Sequence, residues 1–343
     1  MRHFDLCKVP LSAQRGRPLA LNPTMMSSAF RVIGDLRNPR LVGGIGGGRG
    51  PIGTGFFVDI RSSNQKWKHV YAVTAHHVLR GQHNIEIEAS QPYGGALYSP
   101  LPTHGWVQPL EGVDLAIAPA PRREGEVYCS LGFERMLPDN SGLLWLGGKV
   151  HYIGLLAPLN RPMVRSGYLG AIDQYGVPHD LGYEYPCHLV DCRSYGGFSG
   201  SPCFVDLPFA GLAPEDLSRF DFVSKEEWEH LPPLGSLFHL AVFCGMFTQH
   251  QTDAPESGEP ASKYGVGVML RMDEIRQALM LPESQADREE NEQMAAEEEA
   301  SNEPKLRPAS VQDANTEDEY ERFETLTRHL ANTPRPDEDK KPQ

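Results

Sequence analysis

The sequence predicts an all-β protein: two six-stranded antiparallel β-barrels with a cleft between them, closed by a short C-terminal helix and followed by an acidic disordered tail. Two observations carry this. From about residue 24 to 280, short runs rich in β-branched and aromatic residues are punctuated by Gly, Pro and Asn, the spacing of barrels and sandwiches. The runs also fall into two groups of five or six, separated by the strand-poor stretch Glu124 to Gly142.

After an N-terminal extension, 1–23, the first group is "SSAFRVIG", "GTGFFVDI", "KHVYAVTAHHVL", "NIEIEAS" and "VDLAIAPA", which places barrel one at about 24–123. The second group is "LLWLGGKVHYIGLL", "MVRSGYLGAI", "SPCFVDL", "FHLAVFCGMF" and "KYGVGVML", which places barrel two at about 143–282. Charged, helix-like sequence interrupts this barrel as an insertion at 205–236. "MDEIRQALM" closes it as a helix, with Asp273 and Glu274 near the start, where the helix dipole favours acids. The tail, 283–343, has too few large apolar residues to offset the entropy of ordering, so disorder is expected. Within it Tyr320, Phe323, Leu326 and Leu330 recur at three- and four-residue spacing, a short helix at 317–331 that is either transient or a docking face.

With 343 residues and 40% hydrophobic content the chain is long enough for a large core. Most of the net charge of −13 lies beyond Leu281, and the body is close to balanced. Nucleic acid is therefore not an expected partner, because phosphate binding needs a clustered excess of Lys and Arg. The start lacks the apolar run of a secretion signal and no window approaches the roughly 18 apolar residues of a membrane span, so a soluble, cytoplasmic protein with no membrane partner is expected. Six cysteines in this length read as reduced, buried thiols with no metal site, although Cys187 and Cys192 could close a small loop in an oxidising compartment. The glycine-rich run Leu41 to Gly55 lacks a Lys-Ser/Thr pair and leads into a strand, where a phosphate cradle needs a helix start. No cofactor is expected.

Three residues point to one chemistry. "YAVTAHHVL" ends an apolar strand on His76 and His77, "GVDLAIAPA" sets Asp114 directly before another, and "CRSYGGFSGSPCF" places Ser199 among glycines. Each has an ordinary explanation: a structural histidine, a turn carboxylate, a tight turn before a strand. Together they stand in the order His, Asp, Ser, 37 and 85 residues apart, distributed over the two strand groups as residues meeting in a cleft would be.

With these residues the chain resembles the chymotrypsin-like (trypsin-fold) serine peptidases, most closely their bacterial-type branch related to the high-temperature-requirement proteases. "GTGFFVDI" resembles that family's Gly-Ser/Thr-Gly-Phe strand, "VTAHHVL" its Thr-Ala-Ala-His, "VDLAIA" its Asp-Leu-Ala strand and "GGFSGSPCF" its Gly-Asn/Asp-Ser-Gly-Gly/Ser-Pro. "KYGVGVMLRMDEIRQAL" is similar to the last strand and closing helix, so the match spans about Ser27 to Met280, with no PDZ-like domain after it. The resemblance implies His77, Asp114 and Ser199 as a catalytic triad, with the N–H groups of Gly197 and Ser199 as the oxyanion hole. His76 stands where the family has alanine, and register with Thr74 and Ala75 selects His77. The substrate pocket is expected from Arg193, Tyr195, Cys244 and Met246.

Two departures matter. "PRLVGGIGG" resembles the activation site of digestive zymogens, but Phe198 stands where those enzymes carry the carboxylate that receives a freed amine, and a strand lies upstream of the cut. An enzyme that needs no N-terminal processing is expected, acting on protein or peptide substrates, with the tail or the 205–236 insertion as a surface for a regulatory partner. The alternative is a latent or inactive protease-fold module acting in protein binding, since fold does not imply function.

Overall fold

The computed structural model describes residues 23–35, 49–62, 67–90, 98–121, 128–154, 162–175, 183–192, 197–208, 239–251 and 265–302. The insertion beyond Pro208, Arg193, Tyr195, Arg40 and the 317–331 stripe lie outside them. Among the described residues the fold is all-β with few helices, as expected.

A short helix, α1 (Pro23–Ser27), leads into β1 (Ala29–Asp35). β2 (Arg49–Arg61), β3 (Lys68–Thr74), α2 (His76–Leu79), β4 (Glu86–Ala89), β5 (Leu101–Pro102) and β6 (Ala116–Pro119) complete the first half. Their sheet runs β5-β4-β1-β2-β3-β6, every pair antiparallel, and the two-residue strand β7 (Leu131–Gly132) joins it by pairing in parallel with β2. Here the expectation of a closed six-stranded barrel needs correction: the first half is a seven-stranded sheet with β5 and β6 at the ends of its path. β1 sits between β2 and β4, so the chain upstream of Arg40 is an interior strand of the sheet.

The second half is a closed barrel in the order β10-β13-β12-β11-β8-β9. Its strands are β8 (Lys149–Gly154), β9 (Met163–Gln174), β10 (Cys187–Asp191), β11 (Ser201–Pro208), β12 (His239–Gln251) and β13 (Val266–Arg271). The sequence reading missed β10, whose "CHLVD" is short and carries a histidine; here that histidine, His188, is wholly buried and bonded to Asp139 at 2.9 Å. β11 takes up Val205 to Pro208, so the insertion begins later than 205. The linker between the halves is itself packed: Met136 and Leu137 are buried, and the Leu137 N–H donates to the Phe243 carbonyl on β12 at 2.9 Å.

Aromatic packing joins the halves. Phe56 on β2 meets Phe243 on β12 edge-on with ring centroids 5.2 Å apart, and Phe204 on β11 lies 5.7 Å from Phe243. All three are buried, and each fully buried ring of this kind contributes about 1.5–3 kcal/mol. The described cysteines Cys129, Cys187, Cys192, Cys203 and Cys244 are buried, and burial pushes the Cys187 thiol up to about 11.

α3 (Met272–Leu279) closes the barrel as expected. Beyond it the structure overturns the expectation of disorder as far as residue 302, because α4 spans Pro282–Asn302. Apolar content was the wrong criterion there. Pro at the first helical position, Glu283 in the first turn and a run of Ala, Glu and Gln favour a helix without a wide apolar stripe. One compact unit runs to Glu292 and a second comprises Gln293–Gln343. Within the first, α4 is tied down by Arg288, which is 7% exposed and donates through Nη1 to the Tyr71 hydroxyl at 3.1 Å and the Leu279 carbonyl at 3.0 Å. His69 Nε2 meets Glu292 Oε1 at 2.9 Å one turn further on.

Arg288→Ala is therefore expected to cost about 1–3 kcal/mol by leaving the Leu279 carbonyl and Tyr71 hydroxyl short of a donor. Thermal unfolding should show a loss of several degrees. A chain ending at Leu281 should melt at least as low, whereas a melting temperature equal to that of the full chain would mean that α4 adds nothing to the fold.

Candidate active site

The site begins with the end of β3. The strand stops at Thr74, Ala75 remains extended, and the chain turns at once into α2, whose Val78 N–H returns to the Ala75 carbonyl at 3.1 Å. First-turn N–H groups have no partner inside a helix and look for an outside acceptor. For His77 that acceptor is Asp114: its N–H donates to Oδ1 at 2.8 Å, while the ring Nδ1 meets Oδ2 of the same carboxylate at 2.7 Å. Asp114 has no exposure to solvent, and the His77 side chain keeps 19%. A carboxylate only accepts, so Nδ1 carries the proton of this bond, and in the neutral ring the lone pair a general base needs is the one on Nε2.

His76 goes elsewhere. Its Nδ1 lies 2.8 Å from the Tyr183 hydroxyl, with the two rings edge to face at 5.9 Å. Burial lowers the His76 pKa, with Arg80 and His77 acting in the same direction and Asp114 against them. Burial and the charge of Asp114 push Tyr183 up to about 12, so its hydroxyl remains protonated near neutrality. The two adjacent histidines are thus separated by their partners: His77 turns to the buried carboxylate, His76 to a phenol.

Ser199 arrives from the second half, in the loop that precedes β11. Phe198 before it is fully buried, edge-on to Tyr152 at 5.4 Å, and a Cβ at Gly154 would collide with its ring. The position that holds a carboxylate in zymogens is here an apolar plug of the barrel core. Gly197 and Gly200 have φ of +100° and +86°, in the region that disfavours side chains. Gly200 is also pressed against the backbone of the first half, where a Cβ would collide with the Thr54 carbonyl and lie 3.1 Å from the Ala75 nitrogen. This close approach sets Ser199 beside the turn that carries His77.

Thr54 on β2 completes the junction. Its N–H donates to the Ser199 carbonyl at 2.9 Å, its Oγ1 donates to the Gly197 carbonyl at 2.7 Å, and its own carbonyl accepts from Thr74 Oγ1 at 2.7 Å. Among the described residues, the N–H groups of Gly197 and Ser199 have no acceptor, and Ser199 Oγ makes no hydrogen bond to His77. The structure thus places His77 against Asp114 and brings the Ser199 loop to the same place. Cys244 and Met246, expected in the pocket wall, have no exposed surface, so any part they take is as packing behind it. No group of three or more His, Cys, Asp or Glu among the described residues is placed to hold a metal ion, and no described helix is long and apolar enough to cross a membrane.

No protein-family model matches this sequence, and no curated protein matches it. Its backbone is similar to solved protease domains. The MamO protease domain from Magnetospirillum magneticum in its apo form is 15% identical, with 75% of this chain and 98% of that chain covered and a TM-score of 0.45. The HtrA-type protease AlgW with decapeptide is 14% identical, with 74% of this chain and 65% of that chain covered and a TM-score of 0.42. The chain thus spans just under two thirds of AlgW's length.

Two expectations follow from this geometry. Gly200→Ala should destabilise the protein by more than about 2 kcal/mol, because the left-handed backbone and the Thr54 carbonyl both oppose a side chain; a denaturant midpoint unchanged by the substitution would contradict the close approach. The second concerns pH. Burial lowers the pKa of His76 and of His151, which lies between Ser166 and Asp206 on the second barrel. Above about pH 6.5 both histidines are neutral in either state. Below it the unfolded chain takes up protons that the folded chain resists, so stability falls as pH drops from about 6.5 toward the depressed folded values. Urea midpoints between pH 7 and 5 should decline, and His151→Gln should flatten part of that slope.

Proposed function

We propose that the chain is a serine endopeptidase that hydrolyses peptide bonds of protein substrates through an acyl-enzyme intermediate. The single observation that supports it most is the Asp114 carboxylate, fully buried and bonded to both the backbone and the ring of His77, with the Ser199 loop clipped to the same strand system. In this reading Ser199 Oγ attacks the scissile carbonyl carbon and its proton passes to His77 Nε2. Asp114 holds the tautomer and balances the imidazolium that forms. The tetrahedral oxyanion is received by the N–H groups of Gly197 and Ser199, where each donor contributes roughly a hundredfold or more in turnover. His77 then delivers its proton to the leaving amine, the acyl group stays on Ser199, and water attacks the ester with His77 as base. Arg193 and Tyr195 stand before the nucleophile in sequence and are assigned to the substrate pocket, with Cys244 and Met246 behind it. We assign the chain to the cytoplasm on its sequence, with protein or peptide substrates as its partners, and with the tail or the insertion as the surface for a regulatory partner.

One observation favours a second reading, a latent module whose role is binding: Ser199 Oγ and His77 are not hydrogen-bonded, although catalytic bonds of this kind commonly shorten only when substrate is bound. A fluorophosphonate probe separates the two. Labelling of the pure protein that disappears in Ser199→Ala supports the peptidase, and absence of Ser199-dependent labelling across a pH series supports the latent module.

For the peptidase, Ser199→Ala and His77→Ala should each abolish peptide hydrolysis with the circular dichroism spectrum intact, while His76→Ala keeps most of it. Asp114→Asn should lower turnover by roughly four orders of magnitude with little change in KM, since the ring would take the wrong tautomer. Activity retained in His77→Ala and lost in His76→Ala would reverse the assignment of the base.

A further inference from the structure

We infer that Thr54 is a positioning residue that keeps the nucleophile loop in register with the base across the two halves. This rests on the peptidase reading of Ser199 and His77. In a trans peptide the C=O of one residue points opposite to the N–H of the next, so fixing a carbonyl fixes the direction of the following donor. Three successive carbonyls of the loop are fixed. The Gly197 carbonyl accepts from Thr54 Oγ1 at 2.7 Å, the Phe198 carbonyl from the Ser201 N–H at 2.9 Å, and the Ser199 carbonyl from the Thr54 N–H at 2.9 Å.

The middle bond orients the peptide that carries the Ser199 N–H, and Thr54 holds the peptides on either side of it. The bracket is closed from below by the Gly200 N–H, which donates to the Phe247 carbonyl at 2.8 Å. Thr54 also faces the base-bearing strand. Its carbonyl accepts from Thr74 Oγ1 at 2.7 Å, three residues before His77 in the chain. A single residue on β2 therefore links the turn carrying the base to both flanks of the nucleophile. Of these two bonds to the loop, the one from Oγ1 depends on the side chain and the one from the N–H does not. Removing that hydroxyl frees the Gly197–Phe198 peptide to rotate and leaves the strand pairing of β2 with β1 and β3 intact.

The test is steady-state peptide hydrolysis by the full chain, together with inhibition by a peptide boronate, which forms a tetrahedral adduct on a serine. Thr54→Val, with the same shape and no hydroxyl, should lower kcat between about 10- and 100-fold and weaken the boronate by a similar factor, with KM within about threefold. Thr54→Ser, which restores the donor, should return kcat to within about threefold of wild type. If Thr54→Val does not fold, Thr54→Ala replaces it, since that change only removes atoms. Wild-type kcat in the variant lacking the hydroxyl, or a kcat loss that Thr54→Ser does not rescue, would overturn the inference while leaving the peptidase reading in place. A wild-type chain with no Ser199-dependent turnover would overturn both.

Discussion

A carboxylate removed from water must have its oxygens occupied, because an unpaired buried charge is far more costly than any single contact can offset. Asp114 is such a group, and the arrangement of the site follows from how its need is met. One oxygen takes the otherwise unpartnered N–H of His77 and the other takes the ring, so a single side chain ends the β3 strand, caps the α2 turn and sets the imidazole tautomer. The nearby phenols follow the same constraint. Burial and the field of this carboxylate both hold Tyr183 and Tyr185 protonated, with the Tyr185 hydroxyl meeting Thr248 Oγ1 at 3.0 Å. The proximity of the aspartate also counts among the influences on His76, yet Tyr183 holds that ring. Two neighbouring histidines of equal intrinsic chemistry thus acquire different partners through backbone geometry alone.

Much of this was legible in the residues. Alternation and turn residues located ten of the thirteen strands among the described residues, and the strand-final "VTAHH", the pre-strand Asp114 and the glycine-flanked Ser199 drew attention to the groups that the fold gathers. What escaped was non-local. β5 and β7 are two residues long and exist because a neighbouring strand offers an open edge, a property no window of sequence contains. Thr54 was visible only as the middle of "GTG". Its importance lies in a loop 143 residues away. The tail was misread as far as residue 302 for another reason: hydrophobic content measures whether a segment can form a core, whereas α4 needs only helix propensity and one buried anchor, Arg288.

The two halves are connected by three kinds of interaction with different tolerances. Apolar contact between Phe56 and Phe243 is large in area and poor in direction, since a ring contact changes little in energy when it slides. The hydrogen bonds of Thr54 are small in energy and strict in direction. The linker supplies the third. Asp139 within it, 4% exposed, accepts from His188 Nε2 at 2.9 Å and from the Asp273 N–H at the start of α3 at 2.8 Å, with Arg271 Nε at 3.5 Å. The linker therefore lands on barrel two at a fixed point.

This division of labour bears on whether the site can rest in an unproductive form. His77 and Asp114 lie within one half, on α2 after β3 and just before β6, so their mutual geometry survives any small displacement between the halves. Ser199 does not share that protection. Its loop is anchored by Phe198 in the core of barrel two and by Thr54 on the other half, two supports of different stiffness. A buried ring resists displacement because its cavity is close-packed. The bonds at Thr54 lengthen at little cost until they break. A displacement between the halves would therefore act on the Thr54 bonds to the Ser199 loop before it reached the His77–Asp114 pair. Any ligand could move that hydrogen-bonded junction by no more than its preference for one setting over another.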